Sequence, residues 1–285
     1  CDPESSMGMP YARVTLGGNT EYSDSDGNYS IDGSGTITSY LDGHWFDVDT
    51  NGSTPSLSQN SGSPNFQHSA ANSNEQRRAE VNAYLQSNVV RDFTLAHVPN
   101  FPTIGSQNAF PVHCGVSGTC NAFYDYESIN FYNAGGGCSN TAFSVIVHHE
   151  YGHHLVNVAG SGQGAYGEGM GDVMGVLITG DDQLARGFYS NDCTNGIRTA
   201  NNNHQYPCSG GIHDCGQLIS GCVWDTLAAM SMYPDGHAIV STLAVNSMML
   251  HNGSSIDPSI TFDWLTLDDD DGDLDNGTPH SVEIL

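Results

Sequence analysis

Apolar and polar residues alternate through YARVTL and GTITSYL within residues 11–50, and the alternation is broken by SDSDGNYSIDGSG. Period-two stretches bounded by Asp and Gly predict strands joined by tight turns. The next stretch, NGSTPSLSQNSGSPNFQHSAANSN, is polar and turn-forming. Over residues 75–94 the spacing changes, with Val81, Tyr84, Leu85, Asn88 and Val89 at near-helical intervals, which predicts a helix. After a Cys-containing, Gly/Pro-rich segment, YDYESINFY predicts a strand with its turn, and SNTAFSVIVHHEYGHHLV a long buried helix with Ser139, Asn140 and Thr141 as candidate N-caps. Further apolar helices are predicted over 167–179, 216–230 and 237–250, with a long polar loop at 187–211. The tail DDDDGDLDNGTPHSVEI reads as an acidic loop ending in a helix start at Thr278 and Pro279.

These elements describe an α+β chain. A mixed, β-rich N-terminal part precedes a mainly helical C-terminal part, and no internal repeat is visible. The expected divisions are a β-rich segment over 1–70, an N-terminal lobe over 71–155 ending in the histidine-rich helix, and a helical C-terminal lobe over 156–285. A chain of 285 residues is long enough for one large core or for two lobes around a cleft.

Charge narrows the function. There are 32 acidic residues against six basic ones, all arginine, so the surface repels nucleic acid and anionic membranes. Salty surroundings or bound calcium would both suit such a surface. No run of 18 apolar residues is present, so no bilayer-spanning segment is expected. The eight cysteines, Cys1, Cys114, Cys120, Cys138, Cys193, Cys208, Cys215 and Cys222, form no CxxC pair. An even count without metal-type spacing predicts disulfides and an oxidising, extracellular setting. Short separations such as Cys114 to Cys120 or Cys193 to Cys208 would close small loops. The start at Cys1 without a leader fits a processed, secreted product.

The segment Val145–Val156, VIVHHEYGHHLV, contains four histidines. Successive helical side chains turn by about 100°, so only residues such as His149 and His153, four apart, share a face. His148 and His154 point elsewhere. Glu150 lies beside the pair, completing H-E-x-x-H as HEYGH: two imidazole zinc ligands and a carboxylate base. A catalytic zinc takes a third protein ligand. GAYGEGMGDVMGVLI supplies Glu168 and Asp172, four apart on one face of an otherwise small and apolar helix. Ligation by Glu168, with Asp172 accepting the outer N–H of a liganding histidine, satisfies two carboxylates that burial would otherwise penalise. Gly167, Gly169, Gly171 and Gly175 are costly in a helix interior, and close approach to the first helix would account for them. His213, just ahead of an apolar helix and after Gly210 and Gly211, is placed to donate a hydrogen bond to an oxyanion. The other eight histidines, His44, His68, His97, His113, His204, His237, His251 and His280, suit surface or packing roles.

HEYGHHLV, GEGMGDV and GIHDCGQLISGCVWD, in that order, resemble the glutamate-zincin metallopeptidases, the relatives of thermolysin and fungalysin, and more closely the fungalysin side. The similarity reaches upstream through NAYLQSNVVRDF and covers roughly residues 75–285. It implies a two-lobed zincin fold with the active-site cleft between the lobes. It also implies His149, His153 and Glu168 as zinc ligands, Glu150 as base and proton shuttle, Asp172 as partner of a ligand, and His213 as transition-state donor. Relatives of this kind are made with a propeptide. The 14 residues between His153 and Glu168 make a tighter connection than thermolysin-like enzymes have. The tyrosine they place ahead of the third ligand is missing, with Tyr166 or Tyr151 as candidate substitutes. The SDSDGNYSI turn resembles carboxypeptidase-regulatory-like or Cna-B-like modules.

The implied activity is a secreted zinc-dependent endopeptidase acting on proteins or peptides through metal-activated water. The alternatives are an inactive binding or matrix domain on the same scaffold, which leaves Glu150 without a purpose, and a zinc hydrolase of a non-peptide amide. In LDDDDGDLDNG the aspartates alternate around Gly272, a pattern of hard oxygen ligands. It does not fit a full EF-hand loop. A calcium site using Asp269, Asp271, Asp273 and Asp275 and a solvated acidic turn are the two readings.

Overall fold

The computed structural model describes residues 5–60, 62–70, 74–190 and 192–285, and Cys1 lies outside them. The chain forms two compact units.

The first unit takes the described residues of Cys1–Val89, Ser106–Val147 and Gly187–Cys193. Its strands are β1 (Ala12–Leu16), β2 (Asn19–Tyr22), β3 (Thr36–Gly43), β4 (Phe46–Thr50) and β5 (Ser56–Asn60), then β6 (Phe110–Val116), β7 (Ala122–Tyr124) and β8 (Ile129–Tyr132). Between β5 and β6 the chain forms α1 (Glu75–His97), whose first part belongs to this unit. The sheet order is β2-β1-β3-β4-β6-β8-β7, with β5 also on β3. β4, β6 and β8 run parallel to one another while the other pairs are antiparallel. Alternation decides which face is covered: Ala12, Val14 and Leu16 of β1, Ile37 and Leu41 of β3, and Val112 and Cys114 of β6 are buried. The Tyr84 hydroxyl of α1 donates to the carbonyl of Pro10 at 2.8 Å, and it lies where a Cβ on Gly43 would be, 2.0 Å away. Glycine is required there.

The second unit takes Val90–Gly105, His148–Arg186 and Thr194–Leu285. Its helices are α2 (Ser144–Ala159, from His148 onward), α3 (Gly164–Thr179), α4 (Ile212–Ala229), α5 (Gly236–Leu250), α6 (Ser259–Asp268) and the short α7 (Ser281–Ile284). A small ladder of β9 (Gln183–Leu184) and β10 (Arg198–Thr199) lies between α3 and α4 in sequence. α3 is buried continuously from Tyr166 to Leu177, which suits a helix made of small and apolar residues on all sides. Among the described residues no helix is long and apolar enough to cross a membrane.

Several expectations change. The segment with Ser139, Asn140 and Thr141 precedes α2 rather than capping it. Asn140 Oδ1 accepts from Ala142 N–H within a local turn, while Thr141 Oγ1 accepts from Tyr132 N–H and ties the approach to α2 to β8. α4 starts four residues earlier than its apolar pattern, at Ile212, which draws His213 into the helix. The helix expected from Thr278 is one turn at Ser281–Ile284. Cysteine pairing also differs: Cys120 joins Cys138, Cys208 joins Cys215, Cys193 is disulfide-bonded, and Cys114 and Cys222 are free. Neither of the two loops suggested by short spacing forms. Cys114 occupies an inward position of β6 and serves as a small apolar core residue.

Candidate metal centre

All the residues singled out for chemistry around HEYGH fall in the second unit. α2 turns its apolar residues Val147, Tyr151, Leu155 and Val156 into the protein together with His148. His149 and His153 lie one turn apart with ring centroids separated by 4.9 Å. α3 comes unusually near. A Cβ on Gly152 would lie 2.8 Å from Gly171 Cα, and one on Gly171 would lie 2.7 Å from His149 Nδ1. Glycine on both helices therefore lets the His149 ring sit against α3.

That approach brings three donor atoms together. His149, His153 and Glu168 each offer one ligand atom, all within 4.8 Å of one another. Glu168 Oε2 lies 3.3 Å from His149 Nε2 and 3.8 Å from His153 Nε2, and it is buried without a hydrogen-bond partner. A tetrahedral zinc with ligand bonds near 2.0–2.1 Å separates its ligand atoms by roughly 3.3 Å. The outer nitrogens are already engaged. His149 Nδ1 bonds Asp172 Oδ1 at 2.8 Å, and His153 Nδ1 bonds Gln163 Oε1 at 2.8 Å, so both Nε2 atoms are left to ligate. Gln163 also donates from Nε2 to the His153 carbonyl at 3.0 Å, which fixes which way its amide points.

Electrostatics point the same way. Burial pushes the Glu150 carboxyl up to about 7, and burial together with neighbouring His149 holds His153 down to about 4, leaving its imidazole neutral at pH 7. For Asp172 burial opposes ionisation, but the His149 hydrogen bond and the Arg198 guanidinium outweigh it and hold the carboxyl down to about 2. For His149 burial is outweighed by the hydrogen bond to Asp172 and the neighbouring Glu168 carboxylate, raising it to about 10. The surroundings thus call for positive charge at this spot. Glu150, Glu168 and Asp172 are buried carboxylates, and Arg198 alone does not balance them. An orphaned carboxylate oxygen, two available imidazole nitrogens and an excess of negative charge fit a divalent, nitrogen-preferring ion such as zinc.

His213 reaches the same place from α4. Its Nε2 lies 3.3 Å from Glu168 Oε2, and its side chain is 61% exposed. Tyr151 and Tyr166, the candidate substitutes for the missing tyrosine, lie in the core beside the site's helices. Both are fully buried, and the Tyr166 ring stacks on His251 with centroids 4.0 Å apart. Their apolar bodies fill the core of α2 and α3.

Two functional neighbours escape the sequence. Arg198 donates from Nε to Asp172 Oδ2 at 2.7 Å and from Nη2 to Oδ1 at 2.6 Å. It sits on β10, whose pairing with Leu184 of β9 sets its reach. Gln163 stands at the N-terminus of α3. A scarce arginine in a polar loop was the one signal for the former.

In the acidic tail, Asp269, Asp270 and Asp271 gather ligand atoms within 4.8 Å. Asp273 and Asp275 are not in that group, and the Asp273 carboxylate accepts from Asp275 N–H to cap a short turn.

No protein-family model and no curated protein sequence matches the chain. Among solved structures it is similar to the precursor of protealysin, a metalloproteinase from Serratia proteamaculans, with a TM-score of 0.53 and 14% identity over 85% of this chain and 84% of that one. At this identity the likeness is one of fold. In this chain α2 carries the two histidines of H-E-x-x-H and α3 carries Glu168, the two-imidazole, one-carboxylate donor set that suits a catalytic zinc.

Proposed function

We propose that the chain is a secreted, zinc-dependent endopeptidase that hydrolyses protein or peptide substrates. The observation that carries this reading is the convergence of His149 Nε2, His153 Nε2 and Glu168 Oε2, with Glu150 buried beside them. When bound, zinc supplies Lewis acidity and makes water a nucleophile at neutral pH.

The protein's own residues supply the rest. Glu150, held in a buried and negatively charged setting, takes the proton from the attacking water and returns it to the leaving amine. Asp172 orients His149, and Arg198 keeps Asp172 ionised. Gln163 does the same service for His153 without adding charge. His213, exposed enough to meet a substrate, donates to the developing oxyanion.

Disulfides at Cys120–Cys138 and Cys208–Cys215 support an extracellular setting. The order and wording of HEYGHHLV, GEGMGDV and GIHDCGQLISGCVWD support kinship with the fungalysin side and maturation from a propeptide. For the tail, the Asp269, Asp270 and Asp271 cluster supports calcium binding, which a calcium-dependent rise in unfolding temperature would test. The peptidase reading is tested by digesting a mixed peptide library and identifying products by mass spectrometry. Internal cleavage that stops with a zinc chelator and returns with added zinc is expected. Chelator-insensitive cleavage, or none from the zinc-loaded protein, contradicts it.

A further inference from the structure

His213 occupies the second position of α4, in a turn that burial does not hold. Residues 209–214 are all exposed, and the N-cap residue Gly211 has no side chain with which to cap the helix. First turns without a cap or apolar burial open at little cost. Slightly further along, α4 is fixed. A Cβ on Gly216 would lie 2.8 Å from Gly169 N and 3.0 Å from Glu168 Cβ, so this point of α4 rests directly on α3 beside the third ligand.

One covalent tie joins the exposed chain to that fixed point. Cys215, next to Gly216, is bonded to Cys208, seven residues earlier, and the closed loop contains His213. Within it, Gly210 N–H donates to Cys208 Sγ at 3.4 Å and Cys215 N–H to the Gly211 carbonyl at 2.9 Å. Both cysteines of this bond are partly exposed, whereas Cys138 of the Cys120–Cys138 bond is buried.

We infer that the Cys208–Cys215 disulfide is the positioning element for His213, and that its accessibility makes the metal centre sensitive to reductants. This rests on the peptidase reading above. With the bond closed, His213 Nε2 stays 3.3 Å from Glu168 Oε2. With it open, the uncapped turn frays and the imidazole leaves, while His149, His153 and Glu168 keep their places on α2 and α3. Opening by a water-soluble phosphine balances as follows. The phosphorus attacks one sulfur and expels the other as a thiolate; water then hydrolyses the phosphonium. The phosphine is oxidised to its oxide with oxygen from water, two electrons pass to the disulfide, and the two protons of water leave both cysteines as thiols.

The test is a mutant cycle on the zinc-loaded protein. Cys208→Ala/Cys215→Ala should lower kcat by on the order of tenfold or more with zinc stoichiometry unchanged. The same pair added to His213→Ala should cause no further loss, because the interaction is already gone. Phosphine should slow the wild type and leave the cysteine double variant unaffected. Full kcat in the double variant, an equal loss on top of His213→Ala, or a double variant as phosphine-sensitive as the wild type overturns the inference. A second readout does not need turnover: in protein labelled with nitrogen-15 at histidine, phosphine should shift the His213 ring signals and leave those of His149 and His153 in place. Unmoved His213 signals overturn the inference as well. A wild type that binds zinc but cleaves no peptide is failure of the peptidase reading instead, and the ring signals then decide the inference alone.

Discussion

Gln163 and His153 hold one another through two hydrogen bonds, with the glutamine carbonyl oxygen on the imidazole Nδ1 and the glutamine amide on the histidine carbonyl. The first fixes the tautomer that presents Nε2 to a metal, and the second fixes the amide that does so. Gln163→Ala should therefore weaken zinc binding by roughly 10- to 100-fold, measured by competition with a chromogenic chelator. Unchanged affinity would show that the ring is held by packing alone.

The glycine at 171 makes a second, purely steric prediction. A methyl group there would meet the His149 ring at 2.7–3.0 Å, and the neighbours on both sides are helix. Gly171→Ala should displace His149 and cost about 1–3 kcal/mol of stability in urea unfolding, together with a loss of zinc affinity. Gly180, with open space around its absent Cβ, lies at the C-cap of the same helix. Zinc affinity should be unaffected by Gly180→Asn.

These relationships mark how far the sequence could be read. His149, His153, Glu168 and Asp172 were legible because helical periodicity by itself puts them in two pairs, each on one face. The glycines between the acids announced a close approach to the first helix; the structure gives α2 for Gly171 but α4 for Gly169. Gln163 was not legible, because its reach to His153 depends on the path of the loop from Ala159 to Gly164. Arg198 was hidden for the same reason, being placed by a two-residue ladder within a polar loop. The strand β6 was missed because proline, histidine and cysteine interrupt the apolar signature of FPVHCGV, although its alternation of buried and part-buried positions is regular. α6 was missed because SITFDWLTLD, with only Trp264 buried, has no marked apolar face. Cysteine pairing depends on distances that spacing does not encode.

Acid should weaken the C-terminal segment through Asp268. Burial opposes its ionisation, but hydrogen bonds from Thr278 Oγ1, His280 N–H and the His280 ring prevail and hold the carboxyl below its usual value. A depressed folded pKa contributes stability that is fully present above the unfolded value of about 3.9 and is lost as pH falls through the folded one. Asp268→Asn should therefore be less stable than the wild type at pH 6, with the gap narrowing below about pH 4. Urea unfolding at pH 6 and pH 3 checks this, and a gap that widens in acid contradicts it.

The proposed mechanism assigns the proton transfer to Glu150, in a site whose metal is held by His149, His153 and Glu168. Glu150→Gln, assayed for zinc by elemental analysis and for peptide cleavage in the same preparation, tests it most directly. One zinc per chain with turnover reduced by at least about 100-fold is the predicted result. Zinc retained with turnover near that of the wild type would contradict it.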